Sequence, residues 1–382
     1  MNIKNTKKPS PRVDVGYLQK FGIQSYGADN LYPQNLTAVT NCSGTAELCL
    51  ARYAKFIEGN GFNSTELSDV VLNKRKETAD DILKSVSADL ARFGGFALHC
   101  NYNVFGEITE VAHISFEQCR LAEEDDLGNI SHIVVHPDWR GKKSRSGKTL
   151  QVNENTITRI NTFNPSAALS QIASVGGIEH YNGQVLWVSA DGAYRYPTPI
   201  YDAVITEIST DEGLGNLKYR NVRNNFMTAC MLVAKKGVPR IDDEGNEIER
   251  QMISADDLTQ FQGDERSNKI MYIEIENDED KPEVVPFPIQ NLDKEFTATD
   301  ESVIERIYAQ FHQELFYSIR LGKLGFSGQV MRDAYEYYAS EVTNEQRMIQ
   351  RAFAAIGKYM PKIANYDYTV QPLVYKQAYG NE

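Results

Sequence analysis

The chain has 382 residues, enough for two or three domain-sized units and at least one sizeable core. Hydrophobic residues make up 41% of it, charged residues 24% and aromatics 10%, without a glycine or glutamine bias, which excludes wholesale disorder. A net charge of -12 argues against tight static binding to duplex DNA, which requires many Lys and Arg contacts to phosphate and a basic face. It leaves open a wall past which DNA slides, because a surface that repels phosphate keeps the polymer free.

Residues 1–14 are basic and rich in Pro and Asn but have no apolar stretch, so they are expected as a flexible arm and not as a signal peptide. No apolar run approaches a bilayer span; Ala229 to Ala234, among the longest, stops after a few residues. A soluble, intracellular protein with no membrane partner is expected. The five cysteines, Cys42, Cys49, Cys100, Cys119 and Cys230, are odd in number and form no C-x-x-C, which predicts small buried hydrophobes and no bridges.

After the arm, Asn30-Leu-Tyr-Pro33 predicts an extended entry, because proline disfavours helix in the residue before it. Ala46, Leu50, Tyr53, Ala54 and Ile57 then recur at helical spacing until Gly59-Asn-Gly61. A second helix is predicted from Ala79 to Phe93, with Ile82, Val86 and Leu90 on one face and Gly94-Gly95 as its stop. Short β-rich runs follow at 96–102, 113–116, 132–136 and 184–188, split by polar turns such as Asp125 to Gly128.

Tyr196-Pro-Thr-Pro199 marks a boundary, and a long helix opens at Ile200 with Tyr201, Val204, Ile205 and Ile208 on one face. Gly213 and Gly215 predict a kink or break in it. A compact insert comes next: strands near 230–234 and 269–276, an acidic hairpin at Asp242 to Gly245, and a short helix over 254–261. A second long helix is expected with Thr299 as its cap and Asp300 and Glu301 in its first turn, carrying Val303, Ile304, Ile307, Phe311 and Leu315. A glycine-punctuated stretch over 320–328 and a polar run lead to a last helix, for which Thr343-Asn-Glu-Gln346 spells a capping box. The two long helices thus enclose a small β-rich insert.

Chemistry is sparse. In Gly141 to Thr149 the two glycines are five residues apart where a phosphate loop takes four, and Pro137 to Arg140 predict a turn and not the strand such a loop needs. The segment is expected as a basic surface hairpin. Asp242, Glu244 and Asn246 have the alternation of a calcium loop, but Ile253 stands where the closing glutamate belongs. His132, His136 and Asp138 are close in sequence, yet on a strand the two histidines lie too far apart for one metal, so surface or half-buried histidines are expected. Lys218, Arg220 and Arg223 form a basic stripe, expected as a solvated face that a ring would turn into a belt. No nucleophile elbow, zinc motif or dinucleotide fingerprint is present, so neither an enzyme nor a cofactor is expected.

A set of weak patterns nonetheless runs along nearly the whole chain in order: Asp29-Asn-Leu-Tyr-Pro33, Phe56 to Phe62, Asp89 to His99, Ile114 to Arg120, Arg195-Tyr-Pro-Thr-Pro-Ile-Tyr201 and Leu324-Gly-Phe-Ser-Gly328. On these the chain resembles the portal proteins of tailed bacteriophages, in particular the shorter portal-like proteins of phages and prophages of Bacteroides-type bacteria. The resemblance implies an α+β portal architecture. Its parts would be a flexible arm (1–14), a wing (15–198), a first stem helix (199–228), a β-rich clip (229–294), a second stem helix (295–319), a tunnel loop region (320–343) and a C-terminal wing helix and strand (344–382), with a crown short or absent.

It further implies a closed dodecameric ring at one capsid vertex of the virion, assembled in the host cytoplasm. The implied partners are the large terminase subunit, the major capsid protein or scaffold, a head-tail adaptor, and double-stranded DNA bound without sequence preference. Lys323, Gln329 and Arg332 are expected nearest the DNA, and Arg240, Asp242, Asp243, Glu244, Glu247 and Glu249 at the contact with motor and neck. No catalytic or metal-binding residue is implied. The alternatives are a nucleic-acid enzyme using Gly147-Lys148-Thr149 on phosphate, and another virion structural protein without a channel.

Overall fold

Ser43, Ser64, Thr78 and Ser327 each accept a free N–H group at the start of a helix, and the computed structural model describes residues 15–141, 151–223, 230–235, 240–241, 247–248, 270–275, 292–325 and 327–375. The chain divides into two units, one made of Met1–Ser209 with Val303–Glu382, the other of Thr210–Ser302. The fold is mixed α+β, as expected.

In the larger unit a short hairpin, β1 (Tyr17–Leu18) and β2 (Ile23–Gln24), precedes helix α1 (Tyr32–Cys42). The extended entry expected at residues 30–33 is instead a helix start. Pro33 sits in the first turn, where its missing N–H costs nothing and its fixed φ suits the helix. Ser43 caps α2 (Gly44–Glu58), its Oγ accepting the Ala46 N–H at 3.0 Å. After the short α3 (Thr65–Ser68), Thr78 and Asp81 form a capping box for α4 (Ala79–Phe93), the bounds the sequence predicts, and Gly94 ends it in the left-handed conformation.

Helix α4 packs on a six-stranded sheet of β3 (Gly95–Tyr102), β4 (Ile108–Ile114), β5 (Cys119–Leu121), β6 (His132–Val135), β7 (Thr158–Thr162) and β8 (Gln184–Ser189). Their spatial order is β4-β3-β8-β7-β6-β5; only β7 and β8 run parallel. Phe96, Ala97, Leu98 and Cys100 on β3 are all buried, so both faces of this strand are covered. The strand expected at 113–116 begins earlier and stops at Ile114, while Phe116 lies in a 3-10 turn. Strands β5 and β7 and the short helix α5 (Ala168–Ser174) have too little periodicity to be seen in the sequence.

A 3-10 turn (Ile200–Val204) leads into α6 (Ile205–Arg223). Of the kink or break expected at Gly213 and Gly215, the break is absent, since α6 runs through both. Both glycines are exposed with nothing within 4 Å of a Cβ placed there, so they cost only helix propensity and the helix continues through them. In the smaller unit, β9 (Cys230–Lys235) pairs in parallel with β12 (Ile270–Ile275), and β10 (Arg240–Ile241) pairs antiparallel with β11 (Glu247–Ile248). The helix expected over 254–261 lies outside the described residues.

Helix α7 (Leu292–Gln310) begins seven residues before Thr299, so Thr299 is interior and not a cap. Asp300, expected to serve the helix start, pairs with Lys218 of α6 at 2.7 Å. In the larger unit α6 and α7 are joined again by Arg306 and Glu207 at 3.2 Å. Helix α7 does not continue to Leu315: His312 takes a positive φ of 55° and a new helix, α8 (Glu314–Arg320), follows.

The segment 320–343, expected as a loop, contains helix α9 (Gly328–Glu341). Only residue 342 separates it from α10 (Thr343–Gly357), and this leaves no room for the expected capping box. Thr343 Oγ1 donates backwards to the Ser340 carbonyl at 2.7 Å, while the Gln346 amide reaches the Phe56 carbonyl on α2 at 3.1 Å. Phe56, Phe316, Tyr335 and Tyr338 pack ring against ring, with centroids 4.8 to 5.9 Å apart, and tie α2, α8 and α9 into one core. The end of the chain returns to residues 59–63: Asn60 N–H donates to the Gln371 carbonyl, and Phe62 bridges Val370. Gly59 has φ +63°, and a Cβ there would overlap the Gln371 carbonyl.

Candidate functional site

The strongest candidate for contact with a polyanion is the segment from α8 to α9. Arg320 ends α8, and Gly322 and Gly325, both at positive φ, turn the chain sharply. Ser327 then restarts it, its Oγ accepting the Val330 N–H at 3.2 Å. Lys323, Gln329 and Arg332 all come out exposed on this short stretch. Gln329 Nε2 donates to Asp333 Oδ1 at 2.6 Å, and Arg332 Nε donates to the Gly328 carbonyl at 3.4 Å. Leu321 and Leu324 flank Lys323, nearly half exposed.

At the break between α7 and α8 a buried hydrogen-bonded cluster forms that no local pattern predicts. Gln313, fully buried between α7 and α8, donates from Nε2 to the Cys49 carbonyl and to the Tyr338 hydroxyl, both at 2.8 Å, and its Oε1 accepts from Arg52 at 3.1 Å. Tyr338 in turn donates to the Phe311 carbonyl, which the helix break has freed. Arg320 donates to the Tyr308 hydroxyl at 3.2 Å, and that contact holds its guanidinium protonated beyond its ordinary range.

At the second candidate, Arg240 lies opposite Ile248 and Glu247 opposite Ile241 on the β10–β11 pair, which flanks residues 242–246. Asp242, Asp243, Glu244 and Glu249 lie outside the described residues, and so do residues 142–150 of the glycine- and lysine-bearing hairpin. Residues 137–140 before it form a turn, as the sequence predicts. His132 and His136 do not converge on a metal. His136 is fully buried: its Nδ1 accepts the Asp138 N–H at 3.1 Å, and burial lowers its pKa. Among the described residues no group of three or more His, Cys, Asp or Glu is placed to hold a metal. Cys49, Cys100 and Cys119 are buried free thiols, and burial pushes Cys49 up to about 12, which leaves it unreactive near neutrality.

Most of the patterns that carry the family resemblance come together in space. Arg120 is completely buried without a carboxylate partner; its guanidinium donates to Asn30 Oδ1 and the Asn30 carbonyl, both at 2.6 Å, to Gln34 Oε1, and to the carbonyls of Glu117 and Cys119. It also lies 5.0 Å over the Trp139 ring, and burial lowers its pKa to about 10. Tyr32 donates to Asp202 at 2.6 Å, Tyr26 to the Pro197 carbonyl and Tyr196 to the Gln24 carbonyl. Asp89 Oδ2 faces His113 Nε2 at 2.6 Å and accepts the Phe116 N–H at 2.8 Å. These groups spend their polar atoms on one another and on backbone, so this is a clamp between distant segments and holds no catalytic constellation.

Among the described residues no helix is long and apolar enough to cross a membrane. No protein-family model matches the chain, and no curated protein matches it. Among solved structures it is similar to a chain in the neck of a native GTA particle computed with C12 symmetry, with 11% identity and a TM-score of 0.45 over 86% of this chain and 82% of that one. It is also similar to a chain in the virion of a native gene transfer agent particle (10% identity, TM-score 0.45, 89% and 83% covered). A third is in the neck of an empty GTA particle computed with C6 symmetry (11%, 0.43, 86% and 82%).

Proposed function

We propose that this chain is a phage portal protein: a ring-forming virion component that conducts double-stranded DNA during packaging and ejection and carries no catalysis of its own. One observation carries it. The chain leaves the larger unit within the long helix α6 and returns to it within α7, and the smaller unit, Thr210–Ser302, takes in the remainder of both helices together with the two small β pairs between them. Each sheet described in it has two strands, an arrangement of marginal stability in isolation, and copies packed side by side would add the burial such pairs need.

In this reading α6 and α7 are the stem helices, and the β9–β12 unit is the clip, which takes the large terminase subunit and later the head-tail adaptor. Lys323, Gln329 and Arg332 line the passage and touch phosphate transiently, without reading bases. The acidic surplus of the chain keeps such contacts few, so that DNA moves. The test is the mass of the purified protein by sedimentation. A homogeneous species many times 43.1 kDa is expected across salt conditions; a homogeneous monomer at micromolar concentration would count decisively against the reading. Charge reversal at Arg240 and Glu247 should weaken terminase binding and leave the mass unchanged.

A further inference from the structure

Two apolar features of the larger unit have no partner among its described residues. One is the tip of the β3–β4 hairpin. Asn103 builds this tip: its Oδ1 accepts the N–H groups of Phe105 and Glu107, each at 2.9 Å, its own N–H donates to the Glu107 carbonyl, and Gly106 supplies the positive φ. A turn so firmly held normally displays polar residues, yet this one displays Val104, 61% exposed, and Phe105, 77% exposed. Leu169 on α5, 54% exposed, lies against Gly106 and widens the patch.

The other feature is a groove of about 630 Å³ between α9, the first turns of α10 and the last described residues of the chain, floored by Tyr335, Ala339, Val370, Leu373 and Val374. It is roomy enough for a Val-Phe tip, and Arg332, Glu336 and Gln350 give it a polar rim.

The tip and the groove lie at opposite ends of one helix. Ile108, at the base of the hairpin, donates its N–H to the Tyr359 carbonyl just beyond the C-terminus of α10, whereas Thr343 and Gln346 from its first turn line the groove. Fifteen residues of helix separate the two ends, on the order of 20 Å. A knob at one end and a hole at the other cannot satisfy each other within a chain. Repeated from copy to copy they make a head-to-tail contact, the kind that closes into a ring when the rotation per copy allows.

We infer that the Val104–Phe105 tip of one copy inserts into the groove of the next, formed by α9, α10 and residues 369–375. This rests on the ring reading above and assigns it one specific contact. Both test variants alter exposed positions and should leave the monomer's melting temperature unchanged: Phe105→Asp removes the knob, and Val374→Asp, at a residue 59% exposed, spoils the hole. Each alone should raise the concentration needed for half-assembly at least about tenfold, as loss of a central apolar anchor does. Mixed at the concentration where the wild-type chain half-assembles, they should form heterodimers and nothing larger, because each pair retains one intact tip and one intact groove.

If both variants assemble at the wild-type concentration, the contact is wrong and the ring reading survives. If the wild-type chain itself never exceeds a monomer, the ring reading fails first. If the chain's own residues 376–382 fill the groove instead, a chain ending at Tyr375 will melt lower and Val374→Asp will leave assembly untouched, which also overturns the inference.

Discussion

Arg120 shows most clearly what a single residue does here. With five hydrogen bonds to oxygen and no carboxylate bonded to it, its removal takes a donor from the Asn30 and Gln34 side chains and from the carbonyls of Asn30, Glu117 and Cys119 in a dry interior. Arg120→Leu should lower the unfolding free energy by at least about 3 kcal/mol in urea titrations. Arg120→Lys should not restore it, since one ammonium cannot reach the same set of acceptors. His136 gives a pH test. Burial lowers its pKa in the folded state, as burial followed by Arg159 does for His132, so the unfolded chain binds the proton first as pH falls below about 6.5. Stability is therefore full above that value and declines as the pH falls below it toward the lowered pKa of the folded state. Replacing both histidines by Asn should flatten that decline in urea midpoints, although the absolute stability drops. An unchanged slope would mean that neither imidazole is held neutral. Neither role was legible in the sequence, because Arg120 and Asn30 are 90 positions apart and a histidine's burial depends on what the fold lays over it. The patterns at 29–33, 114–120 and 195–201 were visible, and the structure supplies their physical reason: they are halves of the same hydrogen-bonded clamp.

At the scale of elements, helices with strong local signals were legible to the residue, as α4 was through Thr78, Asp81 and Gly94. Misreadings arose where a local signal had another use. Thr343-Asn-Glu-Gln346 spells a capping box, but α9 ends one residue before α10 begins, so Thr343 bonds back to Ser340 and Gln346 is spent on α2. Gly213 and Gly215 suggested a kink, but exposed glycines merely lower propensity. Gly213→Ala and Gly215→Ala should each stabilise α6 by about 0.5 to 1 kcal/mol, read as a raised melting temperature with unchanged helical circular dichroism. A lower melting temperature would show that the helix bends there. The Gly322–Gly325 turn between α8 and α9 belongs to this scale as well, since two glycines at positive φ make it and leave Lys323 exposed. Lys323→Ala should leave assembly and terminase docking unchanged and reduce genome packaging or retention to a similar extent for any DNA sequence. A sequence-dependent defect would mean that bases are read.

For the whole molecule, the legible feature was the order of elements: a mixed α+β body, a long helix, a small β-rich insert and a second long helix. The insert's strands over 230–235 and 270–275 were visible because they are apolar runs between polar turns; their parallel pairing was not, since pairing direction follows from the connection and not from the strand. The acidic balance is intelligible at this scale only: a net charge of -12 suits a surface that many copies turn toward a moving polyanion, and does not suit a static DNA-binding face. Oligomeric order is the property on which the proposed ring reading turns, because a head-to-tail contact closes only between copies. The most direct measurement is face-on imaging of the purified, full-length protein in negative stain. The account predicts closed rings with a central hole wide enough to admit duplex DNA; monomers, or compact particles with no axial opening, would contradict it.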